Sequence, residues 1–305
     1  MTRTTIRERL QIVLARRLTP LVIGWYWRGA KATNLSVRNE MMRVKGGAIG
    51  LRIYTPSGAG PFPVLHFFHG GGWVFGDLET HDPLCRDLCV QARRLVVAVD
   101  YRLAPEHPFP IPVQDCLASL AWIKENAARL GGDADSIVLC GDSSGGNLAA
   151  VAAQQARQLF PGMIKGQVLI YTVTDHSAHA RWNSYLTHGG KPFGLTLESM
   201  TSLWDLYLRD SPLWRDGMTN HELATPLHVP DLSGLPRTLV VIAEEDLLRD
   251  EAAEYARRLA DAGVPAQVRR YAGQEHGFVG LKPSAAYKQA LADIVDWLNA
   301  GTGAL

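Results

Sequence analysis

Apolar positions in the chain gather into short continuous runs. Pro63–Phe68 (PVLHFF), Leu95–Val99, Ile137–Cys140, Gln167–Val173 and Thr238–Ala243 (TLVVIA) read as strands buried on both faces. Ala48–Tyr54 instead alternates through Ile49, Leu51 and Ile53 and closes at Pro56-Ser57-Gly58, as a strand with one polar face would. Ala266–Tyr271 supplies a last strand. Between these runs the pattern turns helical: Val113–Leu130, stopped by Gly131-Gly132; the alanine-rich segment through Ala153; a stretch ending at Ala262; and Pro283–Leu298. Strands alternating with helices at this spacing predict an α/β fold with a mostly parallel central sheet of about eight strands, flanked by helices. Residues 46–305 form that body. An insertion at about 176–235 breaks its rhythm with histidines, tryptophans and the helix-like Leu197–Leu208, and reads as a piece packed over the body.

The first 45 residues read as N-terminal helices. Ile6, Leu10, Val13, Leu14 and Leu18 make a helical stripe with Arg3, Arg7, Arg9 and Arg16 off it, so the stripe is expected to pack on the chain's own domain. The segment holds ten Lys/Arg against Glu8 and Glu40, a charge of +8, which leaves −7 for the remainder of a chain whose net charge is +1. Such a basic end also suits an anionic membrane or nucleic acid, a role ranked behind packing here. No nucleic-acid partner is expected. Leu18–Trp27 is too short to span a bilayer, so no stable membrane insertion is expected, and it lacks a small-residue cleavage site. Cys85, Cys89, Cys116 and Cys140 include no C-x-x-C pair and read as buried free thiols, which points to a cytoplasmic protein.

The polar clusters all stand at strand ends, where ligands bind in parallel sheets. Gly141-Asp142-Ser143-Ser144-Gly145-Gly146 follows a strand and opens a helix, the setting that gives G-x-S-x-G its meaning. A turn that sharp leaves no room for Cβ atoms at Gly141 and Gly145, and it sets Ser143 beside the unpaired N–H groups of a helix N-terminus. A serine hydroxyl needs a base near neutrality, and the base needs a carboxylate to hold its tautomer. His276 lies in the last strand-end loop. The acid must follow TLVVIA, where Glu244, Glu245, Asp246 and Asp250 compete and spacing slightly favours Asp246. An oxyanion needs donors, each worth roughly two to three orders of magnitude in rate. The run Gly70-Gly71-Gly72 offers bare backbone N–H groups after a buried strand, and Ser144 offers the N–H following the nucleophile.

Five motifs together, HGGGW (69–73), DYRLAPEHPFP (100–110), GDSSGGNLA (141–149), DLLRDE (246–251) and HGF (276–278), resemble the hormone-sensitive-lipase family of α/β-hydrolases from about residue 40 onward. The resemblance implies an α/β-hydrolase fold, with Ser143 as nucleophile, Asp246 as acid and His276 as base. It implies Gly71, Gly72 and Ser144 as the oxyanion-hole amides, and a cap over the acyl pocket built from the N-terminal helices and the 176–235 insertion. The implied reaction is a serine carboxylesterase acting on short- to medium-chain esters through an acyl-enzyme, with no metal or organic cofactor, a small-molecule ester as partner and a homodimer as one possible assembly. The same machinery serves deacetylases and amidases; a non-catalytic ligand-binding member would have lost the histidine that this chain keeps.

The chain departs from the family at Ser144, where alanine is usual, at Thr172 and at Leu247, where prolines are common. Other residues have plainer readings. His69 is expected to brace the glycine loop, Asp142 to pin the turn, and Arg102 with Glu106 to form a buried network. His176 and His179 lack a third metal ligand. Trp25, Trp27, Trp73, Phe75, Trp182, Trp204 and Trp214 are expected to be mostly core, with a few against the pocket.

Overall fold

The computed structural model describes residues 6–176, 182–190, 194–215 and 217–300, without the side chains of residues 6 and 7. Eight strands form one sheet: β1 (Leu35–Val44), β2 (Gly47–Pro56), β3 (Phe62–Phe68), β4 (Leu95–Asp100), β5 (Gly132–Asp142), β6 (Ile164–Ile170), β7 (Arg237–Ala243) and β8 (Ala266–Tyr271). Their spatial order is β1-β2-β4-β3-β5-β6-β7-β8. Only the β1–β2 and β2–β4 pairs are antiparallel; the rest of the sheet is parallel, as the continuous apolar runs require.

Alternate residues of each strand enter two cores. Val64, Phe68, Val97, Val99 and Leu139 meet α3 (Ile111–Asn126), α4 (Ser144–Leu159) and α7 (Arg249–Asp261) on one face. Leu65, Phe67, Val96, Ala98 and Val138 meet α2 (Asp82–Gln91) and α8 (Ala285–Ala300) on the other. The two short helices α5 (Asn183–His188) and α6 (Leu197–Leu208) lie in the insertion between β6 and β7. The Asn147 side-chain amide donates to the carbonyls of Val173 (3.1 Å) and Ala224 (2.8 Å), tying α4 to both ends of that insertion. All four cysteines are buried and free.

The N-terminal segment differs from the expectation. It carries one described helix, α1 (Ile6–Tyr26), and then the strand β1, not helices alone. β1 is an edge strand exposed along much of its length, so its apolar alternation is weak. The stripe expected to pack on the domain points outward: Leu10, Val13, Leu14 and Leu18 are exposed, Leu10 by 65%. The packed face carries Ile12, Ile23 and, just past the helix, Trp27. Arg16 lies on it too, donating to the Val74 carbonyl (2.8 Å), the Ala104 carbonyl (2.7 Å) and the Glu106 carboxylate (3.0 Å). Trp25, expected in the core, is 63% exposed. Arg3 and the side chains of Ile6 and Arg7 lie outside the described residues.

Arg102 and Glu106 do not form one network. Arg102 grips the buried Asp115 through two hydrogen bonds (2.9 and 2.7 Å), while Glu106 belongs to Arg16. Among the described residues no helix is long and apolar enough to cross a membrane.

Arg16 is therefore the polar anchor of α1. Arg16→Ala is expected to cost about 1–2 kcal/mol in urea unfolding and to open α1 to limited proteolysis. Arg17→Ala, one residue on and exposed, should change neither.

Candidate active site

The β5–α4 turn brings backbone segments to the limit of approach. A Cβ at Gly141 would stand 2.3 Å from the Gly145 carbonyl oxygen, and one at Gly145 would stand 2.0 Å from that of Phe68, so neither position admits a side chain. Ser143 at the apex is held at φ 53° and ψ −120°, a conformation that costs a non-glycine residue about 1–3 kcal/mol. Its N–H donates to the Ile170 carbonyl (2.8 Å), and its carbonyl accepts from the Asn147 N–H (3.1 Å).

The Ser143 hydroxyl lies 2.9 Å from Nε2 of His276, and Nδ1 of the same ring lies 2.6 Å from Oδ2 of Asp246. The other Asp246 oxygen accepts the Leu248 N–H (3.0 Å) and fixes the carboxylate. Of the four acids in this loop, Asp246 is the one whose carboxylate reaches the imidazole. Asp250 is turned to Arg249 and the Ser184 N–H (both 2.8 Å), Glu244 lies near Arg249 and Arg270, and Glu245 donates its N–H to Gln274. Tyr171 packs against the His276 ring, with centroids 4.8 Å apart, and is pinned by its hydroxyl to the Val279 carbonyl (2.7 Å).

The glycine loop after β3 is braced from below. The Gly70 N–H donates to Oδ1 of Asp142 (2.9 Å). Asp142 in turn faces Nε2 of His81 at 3.2 Å, and the other nitrogen of that ring meets the Thr80 hydroxyl (2.9 Å). Burial disfavours charge on both the His81 ring and the Asp142 carboxylate, but their pairing outweighs it. His81 is held above the usual imidazole range by Asp142, with Asp77 adding to it; Asp142 is held below the usual carboxylate range by His81 and the Gly70 N–H. His69 behaves oppositely. Burial and the neighbouring His81 push it down to about 4, so it is neutral, and its Nδ1–H donates to the Gly70 carbonyl at 2.8 Å. Its ring stacks on Tyr101, whose hydroxyl donates to the His69 carbonyl (2.7 Å).

Gly71 (φ 120°) and Gly72 (φ 62°) take backbone conformations that favour glycine, and a Cβ on Gly72 would strike the Leu203 side chain of α6 at 2.5 Å. The Ser144 hydroxyl, unusual beside a nucleophile, accepts the Trp73 N–H at 3.2 Å and so ties the turn to the far end of the glycine loop. Trp73 stacks on Tyr207 of α6 with centroids 4.3 Å apart and planes 4° apart.

A cavity of about 350 Å³ opens over Ser143 and His276, floored by Gly70, Gly71 and Gly72 and walled by apolar side chains. Thr19 and Ile23 come from α1, Leu195 and Leu203 from the insertion, and Val279 and Leu281 from the His276 loop. Sequence reasoning missed these aliphatic walls, which carry no motif, and looked to aromatics. Of those, Phe75 lines the cavity, whereas Trp27, Trp73, Trp204 and Trp214 are buried. His176 packs between Trp204 and Trp214, and His179 lies outside the described residues.

The model of the α/β hydrolase fold family matches residues 65–280. The carboxylic ester hydrolase LipN of Mycobacterium tuberculosis is 40% identical over 242 residues, 77% of this chain but only 62% of that protein's length. An arylesterase of Saccharolobus solfataricus is 32% identical over 275 residues, 90% of this chain and 84% of its own. Among solved structures, the carboxylesterase EstE1 from a metagenomic library superposes with a TM-score of 0.89 at 37% identity, covering 95% of this chain and 97% of that one. This chain belongs to the α/β-hydrolase fold family, among its hormone-sensitive-lipase-like esterases.

Proposed function

We propose that this chain is a serine carboxylesterase that hydrolyses short- to medium-chain esters through an acyl-enzyme. The observation that carries the reading is the unbroken hydrogen-bond chain from Ser143 through His276 to Asp246 beneath an apolar cavity. His276 takes the Ser143 proton as the hydroxyl oxygen attacks the ester carbonyl. Negative charge on the carbonyl oxygen is met by the N–H groups of Gly71, Gly72 and Ser144. Asp246 holds the ring with Nε2 toward the serine and stabilises the imidazolium. The alcohol leaves with the proton from His276, and water then repeats the attack on the acyl-enzyme. The aliphatic walls suit the hydrocarbon part of an acyl chain, and α1 with the 176–235 insertion acts as the cap.

This assignment is tested by kinetics on p-nitrophenyl butyrate. Ser143→Ala should remove the product burst and nearly all turnover. Asp246→Asn should lower kcat by roughly two to four orders of magnitude, while Asp250→Asn leaves it within a few-fold. A more damaging Asp250→Asn would refute the acid assignment. The butyrate should turn over faster than the laurate, and faster than its matching amide; a faster amide would move the enzyme to the amidase reading.

Ser144→Ala should behave as a loop variant. It leaves the buried Trp73 N–H without its acceptor, at a cost of about 1–3 kcal/mol in stability, and should lower kcat more than it changes KM.

The His81–Asp142 pair gives a pH signature. A raised His81 pKa contributes stability that is complete below about pH 6.5 and is lost as pH rises through the higher folded-state value. Urea midpoints should therefore decline toward alkaline pH in the wild type, and this part of the decline should vanish in His81→Gln.

A further inference from the structure

Eight of the thirteen large apolar side chains exposed among the described residues lie in the single helix α1. Leu10, Leu14, Leu18, Leu21 and Trp25 recur at intervals of three and four, so they form one stripe about 22 Å long on the side opposite Ile12, Arg16 and Ile23. Solvent is a poor environment for such a stripe, and a monomer in water rarely keeps one without a use.

The charges around the stripe indicate what covers it. Glu8 is the sole acid of α1, whereas Arg9, Arg17 and Arg28 are exposed on the helix and just beyond it. The first 45 residues carry +8 on a body of −7. Two copies meeting through α1 would bring these cationic segments together, while an anionic surface would complement them. An apolar stripe containing Leu and Trp, bordered by Arg17 and with Arg28 at its end, on a helix that does not span a bilayer is suited to lie in the headgroup layer.

We propose that α1 docks the protein reversibly on an anionic lipid surface through the face of Leu10, Leu14, Leu18, Leu21 and Trp25. The opposite side of the helix supplies Thr19 and Ile23 to the cavity wall. Trp27 donates its indole N–H to the Gly280 carbonyl (2.9 Å), beside Leu281, which lines the cavity and is itself 47% exposed. Docking therefore sets the cavity rim at the lipid boundary. If the esterase reading holds, poorly soluble esters enter the cavity from that boundary without crossing water.

Co-sedimentation of the full chain with phosphatidylglycerol/phosphatidylcholine vesicles tests the docking, with pure phosphatidylcholine vesicles as control. The mixed vesicles should bind the protein at least roughly tenfold better, and high salt should remove the difference. Leu14→Glu/Leu18→Glu should abolish binding, and Arg17→Gln/Arg28→Gln should weaken it by roughly tenfold or more. Both variants should hydrolyse soluble p-nitrophenyl butyrate as the wild type does, which also shows that they fold. Equal binding to both vesicle types, or binding to neither, would overturn the proposal. So would a dimer in size-exclusion chromatography that Leu14→Glu/Leu18→Glu splits without any vesicle binding. Failure of the wild type to hydrolyse the soluble ester would overturn the esterase reading and leave the docking result standing.

Discussion

The site depends on one steric constraint: three backbone segments converge where Gly141, Gly145 and the carbonyl of Phe68 leave no space for a Cβ. That approach forces the sharp turn, the turn holds Ser143 at positive φ, and the strained apex presents the hydroxyl to His276. The surrounding sheet over-determines the strain. β5 is paired on both sides by parallel neighbours, β3 and β6, so the turn cannot relax without breaking ladders in the middle of the sheet. The reactive geometry is therefore a property of the core.

The glycine loop has the opposite problem. Its residues lack side chains by necessity, so its shape must be imposed from outside. Asp142 accepts the Gly70 N–H, the His69 Nδ1–H donates a hydrogen bond to the Gly70 carbonyl, the Ser144 hydroxyl accepts the Trp73 N–H, and Trp73 is clamped against Tyr207. Two histidines stand 5.6 Å apart in this brace with opposite charge preferences: burial and the neighbouring His81 push His69 down, whereas Asp142 holds His81 up against the same burial. The extra hydroxyl at Ser144, unexplained by its motif, has a structural occupation. It joins the nucleophile turn to the loop that must stay registered with it.

What the sequence made legible was whatever depends on local pattern. Buried strands announced themselves by continuous apolar runs, and the glycines marked the close approaches. The acid needed more, since four carboxylates share one loop and only the path of the chain around α7 turns Asp246 to His276 and Asp250 to Ser184. β1 escaped because an exposed edge strand has little apolar alternation to read. Arg102 and Glu106, neighbours in sequence, have separate partners, Asp115 and Arg16; Arg16 lies 90 residues from Glu106, and no local pattern encodes that choice. The aliphatic cavity walls were silent for the same reason.

α1 shows the limit of periodicity most clearly. A helix whose two sides are both apolar satisfies the amphipathic pattern with either side inward, and the hydrophobic effect alone ranks the leucine stripe first. The orientation is decided by Arg16. A guanidinium that can reach two loop carbonyls and a carboxylate has a better destination against the body than in water, and Trp27, with an indole N–H to satisfy, follows it inward. Polar groups with specific partners thus selected the face and left the larger apolar surface outside. That outcome costs solubility unless the outer face is used, and its use would share one rigid element with the cavity. A lipid contact on one side of α1 and the ester pocket on the other would then be coupled through a single turn of helix, from Leu18 and Leu21 to Thr19 and Ile23.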